Sequence, residues 1–110
     1  VPSNRNQPTI LERDVQRRIK DALMKAGAGK VVKLTTQGRY GAKGLPDLMV
    51  LTPPRHVMFF EVKRPGGKST PLQLHEQEAL RALGFPVYEV DNLHEAMELY
   101  TKEIESWQND

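Results

Sequence analysis

Two adjacent prolines, Pro53 and Pro54, separate two apolar runs. Proline has no N–H to give to a sheet ladder, and two in succession cannot continue one. The stretch 52–56 (TPPRH) is therefore a turn, and the flanking runs 45–51 and 57–63 are expected as the second and third strands of the chain, joined as a hairpin. Pairing centred on Pro54 sets Asp47 opposite Glu61, with Cβ atoms roughly 4.5–5.5 Å apart. Alternation along the third strand puts Val57, Phe59, Glu61 and Lys63 on one face and Met58, Phe60 and Val62 on the other. A slip of one residue would send the two carboxylates to opposite faces, so the chemistry depends on this register.

The rest of the chain punctuates clearly. Residues 1–8 (VPSNRNQP) are polar with two prolines and read as a disordered tail, leaving residues 9–110 as one domain. Thr9 and Glu12 have capping-box spacing, and Leu11, Val15, Ile19 and Leu23 form the apolar stripe of a first helix that Gly27 and Gly29 end. Residues 30–36 are expected as the first strand, and 38–44 (GRYGAKG) as a glycine-rich basic loop. Thr70, with Pro71 at the first helical position and Gln73 three residues on, opens a second helix. Its expected buried stripe is Leu72, Ala79, Leu80 and Leu83. Residues 86–90 form a fourth strand, and Asn92 and Glu95 cap a last helix with Leu93, Ala96, Met97, Tyr100 and Ile104 on one face. The order α-β-β-β-α-β-α predicts an α/β domain with a small mixed sheet flanked by helices.

Charge narrows the partner. Residues 1–68 hold 14 of the 16 Lys and Arg and 5 of the 14 Asp and Glu, a net +9, whereas residues 69–110 carry a net −7. A basic half points to a polyanion, with nucleic acid first among the candidates. The absence of cysteine excludes disulfides, zinc fingers and thiolate chemistry. No apolar run approaches the length of a membrane span, and no signal-peptide pattern opens the sequence, so a cytoplasmic protein that does not engage a membrane is expected. Gly67-Lys68-Ser69-Thr70 resembles the end of a phosphate-binding P-loop, but that pattern needs glycine where Val62 stands, so no nucleotide cofactor is expected. His56, His75 and His94 lie on separate elements and read as surface residues.

Two close carboxylates repel, and a hard divalent cation resolves that conflict with oxygen ligands. Lys63, two residues from Glu61 on the same face, adds a cation suited to a phosphoryl transition state. Together these groups fit phosphodiester hydrolysis assisted by a divalent cation such as Mg²⁺. Glu12 is either a further carboxylate for that site or only the acid of its capping box. Gln73 is open to the same two readings, as a group that orients water or phosphate and as a cap.

The ordered set Gly44-Leu45-Pro46-Asp47-Leu48, Phe60-Glu61-Val62-Lys63 and Thr70-Pro71-Leu72-Gln73 resembles the VRR-NUC domain, the virus-type replication-repair nuclease of the PD-(D/E)XK superfamily. The upstream Glu12 is similar to that family's helix-one acid, and residues 84–90 to its last strand. The resemblance spans roughly residues 10–91 and implies a restriction-endonuclease-like core. It also implies Mg²⁺- or Mn²⁺-dependent endonuclease cleavage of DNA. Asp47 and Glu61 are then metal ligands, with the Val62 carbonyl and Glu12 as further ones. Lys63 is the catalytic lysine, and Glu12 and Gln73 are accessory groups. Small members of the family, typical of phages and bacteria, look like homodimeric Holliday-junction resolvases in DNA repair and replication. A homodimer on branched DNA, in a bacterial or phage-infected cell, is accordingly expected. The alternatives are a nuclease on duplex or single-stranded ends and a DNA-binding module without chemistry.

Lys30, Lys33, Arg39, Lys43, Arg64 and Lys68 flank the site in sequence and are the expected DNA contacts. Arg13, Arg17 and Lys20 lie off the apolar stripe of the first helix. Contacts of this kind are sequence-independent and salt-sensitive.

Overall fold

The computed structural model describes residues 11–34 and 43–108. The expected tail 1–8, Thr9, Arg39 and most of the loop 38–44 lie outside the described residues. Seven elements follow in the expected order: α1 (Glu12–Lys25), β1 (Lys30–Lys33), β2 (Leu48–Thr52), β3 (His56–Val62), α2 (Pro71–Ala82), β4 (Val87–Val90) and α3 (Leu93–Gln108). The strands form one mixed sheet in the order β1-β2-β3-β4. β1–β2 and β2–β3 are antiparallel, and β3–β4 is parallel. α2 is the crossover that a parallel neighbour requires.

The hairpin has the register set by the prolines. Leu48 pairs with Phe60, Val50 with Met58 and Thr52 with His56, all symmetric about Pro54. β2 starts at Leu48 rather than residue 45, because Pro46 has no N–H for the ladder. β3 is the spine of the core. Met58, Phe60 and Val62 are fully buried on one face with Leu48, Val50, Val31 and Val90 beside them. α1 covers this face through Val15, Ile19 and Leu23, and α3 through Ala96 and Tyr100. Trp107 stacks on His56 at 4.2 Å between ring centroids, which fastens the end of α3 to the start of β3. His56 is therefore half-buried rather than a free surface histidine. No helix among the described residues is long and apolar enough to cross a membrane.

Two local expectations are corrected. α1 begins at Glu12 with Leu11 at the N-cap, where leucine makes no side-chain cap bond. Glu12 is then the first helical residue, not the third, so the Thr9–Glu12 box does not describe this helix start. Leu11 is 38% exposed and falls outside the buried stripe. On α2 the expected apolar stripe is not the buried one. Leu72 and Leu83 are 46% and 73% exposed, Ala79 is exposed, Leu80 is half-buried, and Gln77 is the helix's one buried residue. The cause lies in the sheet below. α2 sits on the face that carries Glu61 and Lys63, so its inward side is the amide side of Gln73 and Gln77, one turn apart. Leu93 of α3 is likewise largely exposed, at 38%.

Candidate active site

The site lies where β2 begins and β3 ends. Asp47 immediately precedes β2, one residue beyond the Leu48–Phe60 pair as Glu61 is on β3, and its carbonyl accepts a bond from the Leu34 N–H at 2.8 Å. β1 and β2 thus hold the Asp47 backbone from one side. Its side chain is held from the other, because the Val62 N–H donates to Asp47 Oδ2 at 2.8 Å. The N–H and C=O of one strand residue point to the same edge, so the Val62 carbonyl faces the Asp47 side of β3.

Glu61 is 1% exposed, and its Oε1 has no hydrogen-bond partner among the described residues. Burial, a hydrogen bond with Asp47 and the charge of that carboxylate push its acid up to about 8, against the opposing pull of Lys63. Glu89, its register partner on β4, adds to the negative field. A buried carboxylate beside a second carboxylate, with one oxygen unpartnered, is costly. The donor set is two carboxylates and a backbone carbonyl, all hard oxygens, with one buried oxygen left unsatisfied. That set fits a divalent cation of the Mg²⁺ or Mn²⁺ kind, which binds through one or two carboxylates and completes its shell with water and phosphate oxygens.

Lys63 follows β3 and is buried, with Nζ 4.0 Å from Glu61 Oε2. Its ammonium donates to Gln73 Oε1 at 2.8 Å. The same oxygen accepts from the Thr70 N–H at 2.8 Å, while Thr70 Oγ1 accepts from the Gln73 N–H at 3.2 Å. The two readings of Gln73 are thus one arrangement. The capping box fixes the side chain, and the fixed side chain positions the lysine. Gly44 serves the same end of α2. Its φ is +86°, and a Cβ there would meet Leu72 Cγ at 2.8 Å, so only glycine lets the loop before Asp47 lie against the helix. Gln77, one turn on, donates to Ser69 Oγ at 3.2 Å and steadies the loop after Lys63.

The structure therefore brings Asp47, Glu61, Val62, Lys63 and Gln73 together. Glu12 is not gathered with them by any hydrogen bond or ion pair, and no three acidic or histidine side chains among the described residues converge to hold a metal. Of the expected DNA contacts, Lys33 pairs with Leu48 beside the site, and Arg64 and Lys68 are exposed on the loop that follows Lys63. Lys43 is exposed next to Gly44. Lys30 pairs with Leu51 and lies toward the turn, at the opposite end of the hairpin. Gln16 on α1 escaped the sequence reading although it is buried, with an unpartnered Oε1. Its spacing of three and seven residues from Ile19 and Leu23 was the available signal.

The family model of the VRR-NUC domain matches residues 4–92. The chain belongs to the VRR-NUC family. A curated phage protein, "Putative nuclease p44" of Acyrthosiphon pisum secondary endosymbiont phage 1, is 36% identical over 83 residues, covering 76% of this chain and 85% of that protein. A solved structure described as a VRR_NUC domain superposes with a TM-score of 0.69 at 32% identity, covering 82% of this chain and 94% of its own. This VRR-NUC domain is thus a nuclease domain of the restriction-endonuclease-like fold, and the carboxylate pair, lysine and glutamine stand at the end of its central hairpin.

Proposed function

We propose that this VRR-NUC domain is a Mg²⁺- or Mn²⁺-dependent endonuclease that hydrolyses DNA phosphodiesters, selective for branched DNA and acting on four-way junctions as a homodimer. The observation that carries the reading is the juxtaposition of Asp47, Glu61 and Lys63, with the Lys63 ammonium fixed by Gln73. Asp47, Glu61 and the Val62 carbonyl would hold the cation, which when bound polarises the phosphate and the attacking water. Glu61 must give up its proton to serve as a ligand. Lys63 presents a directed N–H donor to a phosphate oxygen whose charge grows as water adds to phosphorus. Gln73 keeps that donor from collapsing onto Glu61. The P–O bond to the leaving oxygen breaks, so one fragment ends in phosphate and the other in hydroxyl. Lys33, Lys43, Arg64 and Lys68 flank the carboxylates and favour backbone contacts, which read shape more than sequence. The name of the phage relative supports a nuclease and is silent on substrate shape. Symmetric resolution of a junction needs two sites, hence a two-fold pair of chains.

The test is cleavage of an end-labelled four-way junction and a matched linear duplex, with Mg²⁺ or Mn²⁺, and with EDTA and Asp47→Ala as controls. Paired symmetric nicks in the junction alone are expected. Cleavage of both substrates removes junction selectivity and leaves a general DNA nuclease acting in the bacterial or phage-infected cytoplasm. DNA binding without cleavage in either metal overturns the enzymatic reading in favour of a binding module.

A further inference from the structure

α1 and the β1–β2 edge enclose a second pocket that the hydrolytic site does not use. Its volume is about 200 Å³, and it is lined by Arg13, Gln16, Arg17, Lys20, Lys33 and Leu48. Four cationic side chains and no acidic one line it. Among the described residues only Arg17 has a carboxylate nearby, Asp14 at 3.7 Å. At its wall stands Gln16, 9% exposed, with Oε1 unpartnered. Four cations in one pocket, three of them without a carboxylate at ion-pairing distance among the described residues, call for an anionic occupant. Rotating the amide exchanges oxygen and nitrogen, which turns Gln16 into an N–H donor toward an anion. The helix places Arg13, Arg17 and Lys20 one turn apart on the same side, and β1 brings Lys33 to them.

Position then says which anion. Lys33 pairs with Leu48, the residue directly after Asp47, so the pocket opens at the same end of the sheet as the carboxylates and on the opposite face. A DNA strand crossing that end meets both. We propose that this pocket is a phosphate-binding subsite that seats a backbone phosphodiester of the DNA strand close to the cleaved one, with Gln16 as its neutral donor. The inference rests on the DNA-nuclease reading for its ligand, not for its geometry.

The test is binding of a fluorescein-labelled duplex in EDTA, which separates affinity from cleavage, followed by anisotropy across a salt series. Arg13→Gln combined with Lys33→Gln is expected to weaken binding at least tenfold at 0.1 M salt and to flatten the salt slope by about one. A pair of equal charge loss elsewhere, Lys25→Gln with Lys102→Gln, is expected to bind as wild type. Gln16→Leu is expected to weaken binding severalfold with an unchanged melting temperature or a higher one. Unchanged binding in the Arg13/Lys33 variant, or equal weakening in the control pair, overturns the subsite. Unchanged binding by Gln16→Leu overturns the donor role. Duplexes with and without a 5′-phosphate are expected to bind alike, and a preference for the phosphorylated end overturns the backbone assignment. Cleavage by wild type in Mg²⁺ is scored separately. Its failure alongside the expected binding pattern rejects the nuclease reading and leaves the pocket standing.

Discussion

Gln73 Oε1 accepts two hydrogen bonds, one from the Thr70 N–H and one from the buried Lys63 ammonium, each at 2.8 Å. Replacing Gln73 with Ala removes both at once. Loss of a helix cap interaction costs about 1 kcal/mol. Leaving a buried charged donor unpaired costs about 1–3 kcal/mol more, because the next acceptor, Glu61 Oε2, is 4.0 Å away. The expected total is about 2–4 kcal/mol, or about 10–30 °C in melting temperature for a domain this size. Thr70→Ala isolates the cap, since it removes only the bond to the Gln73 N–H, and is expected to cost about 1 kcal/mol. Gln73→Glu keeps an oxygen for both donors and is expected to stay near wild type. Urea denaturation of the three variants at pH 7 measures these differences directly. If Gln73→Ala costs no more than Thr70→Ala, the lysine is not held by this side chain and the positioning argument fails.

The remaining expectations concern the carboxylates and the core. Below pH 4.5 Glu61 is protonated in both folded and unfolded chains, whereas between about 4.5 and 8 only the folded chain keeps the proton. Metal-free stability therefore falls across that window by up to about 1.4 kcal/mol per pH unit from this group and levels off above it. Glu61→Gln is expected to flatten the decline in denaturation at pH 5, 7 and 9, and an identical slope in the variant would refute the assignment. Mg²⁺ at about 100 times its dissociation constant is expected to stabilise wild type by about 2.7 kcal/mol; thermal melts of Asp47→Ala should show no such gain. Phe60→Ala empties the centre of the core, where Phe60 is fully buried, and is expected to cost about 3–5 kcal/mol by urea denaturation.

The hairpin was legible in the sequence because proline acts locally. Pro53 and Pro54 dictate where the ladder breaks, and symmetry about the turn then brings Asp47 and Glu61 to the same end of the hairpin. The capping box of Thr70 and Gln73 was legible for the same reason, since four consecutive residues contain it. That Gln73 also holds Lys63 was not, because the contact spans a loop whose path no periodicity encodes. The face of α2 misled for a related cause. Leu72, Leu80 and Leu83 have helical spacing, yet the sheet beneath offers Glu61 and Lys63, so amides rather than leucines turn inward. Gln16 shows the converse case. It sits at the edge of an apolar stripe, where its spacing from Ile19 and Leu23 marks the buried side but its polar side chain argues against burial.

Cleavage of a labelled DNA duplex or junction in Mg²⁺ by wild type and by Lys63→Met tests the central claim most directly. Methionine keeps the length and apolar stem of the side chain and removes its charge, so circular dichroism should show the fold intact. Loss of at least about 100-fold in cleavage rate with DNA affinity nearly unchanged is the expected result. Cleavage by Lys63→Met at the wild-type rate would contradict the account, because the ammonium that Gln73 holds in place would then take no part in the reaction.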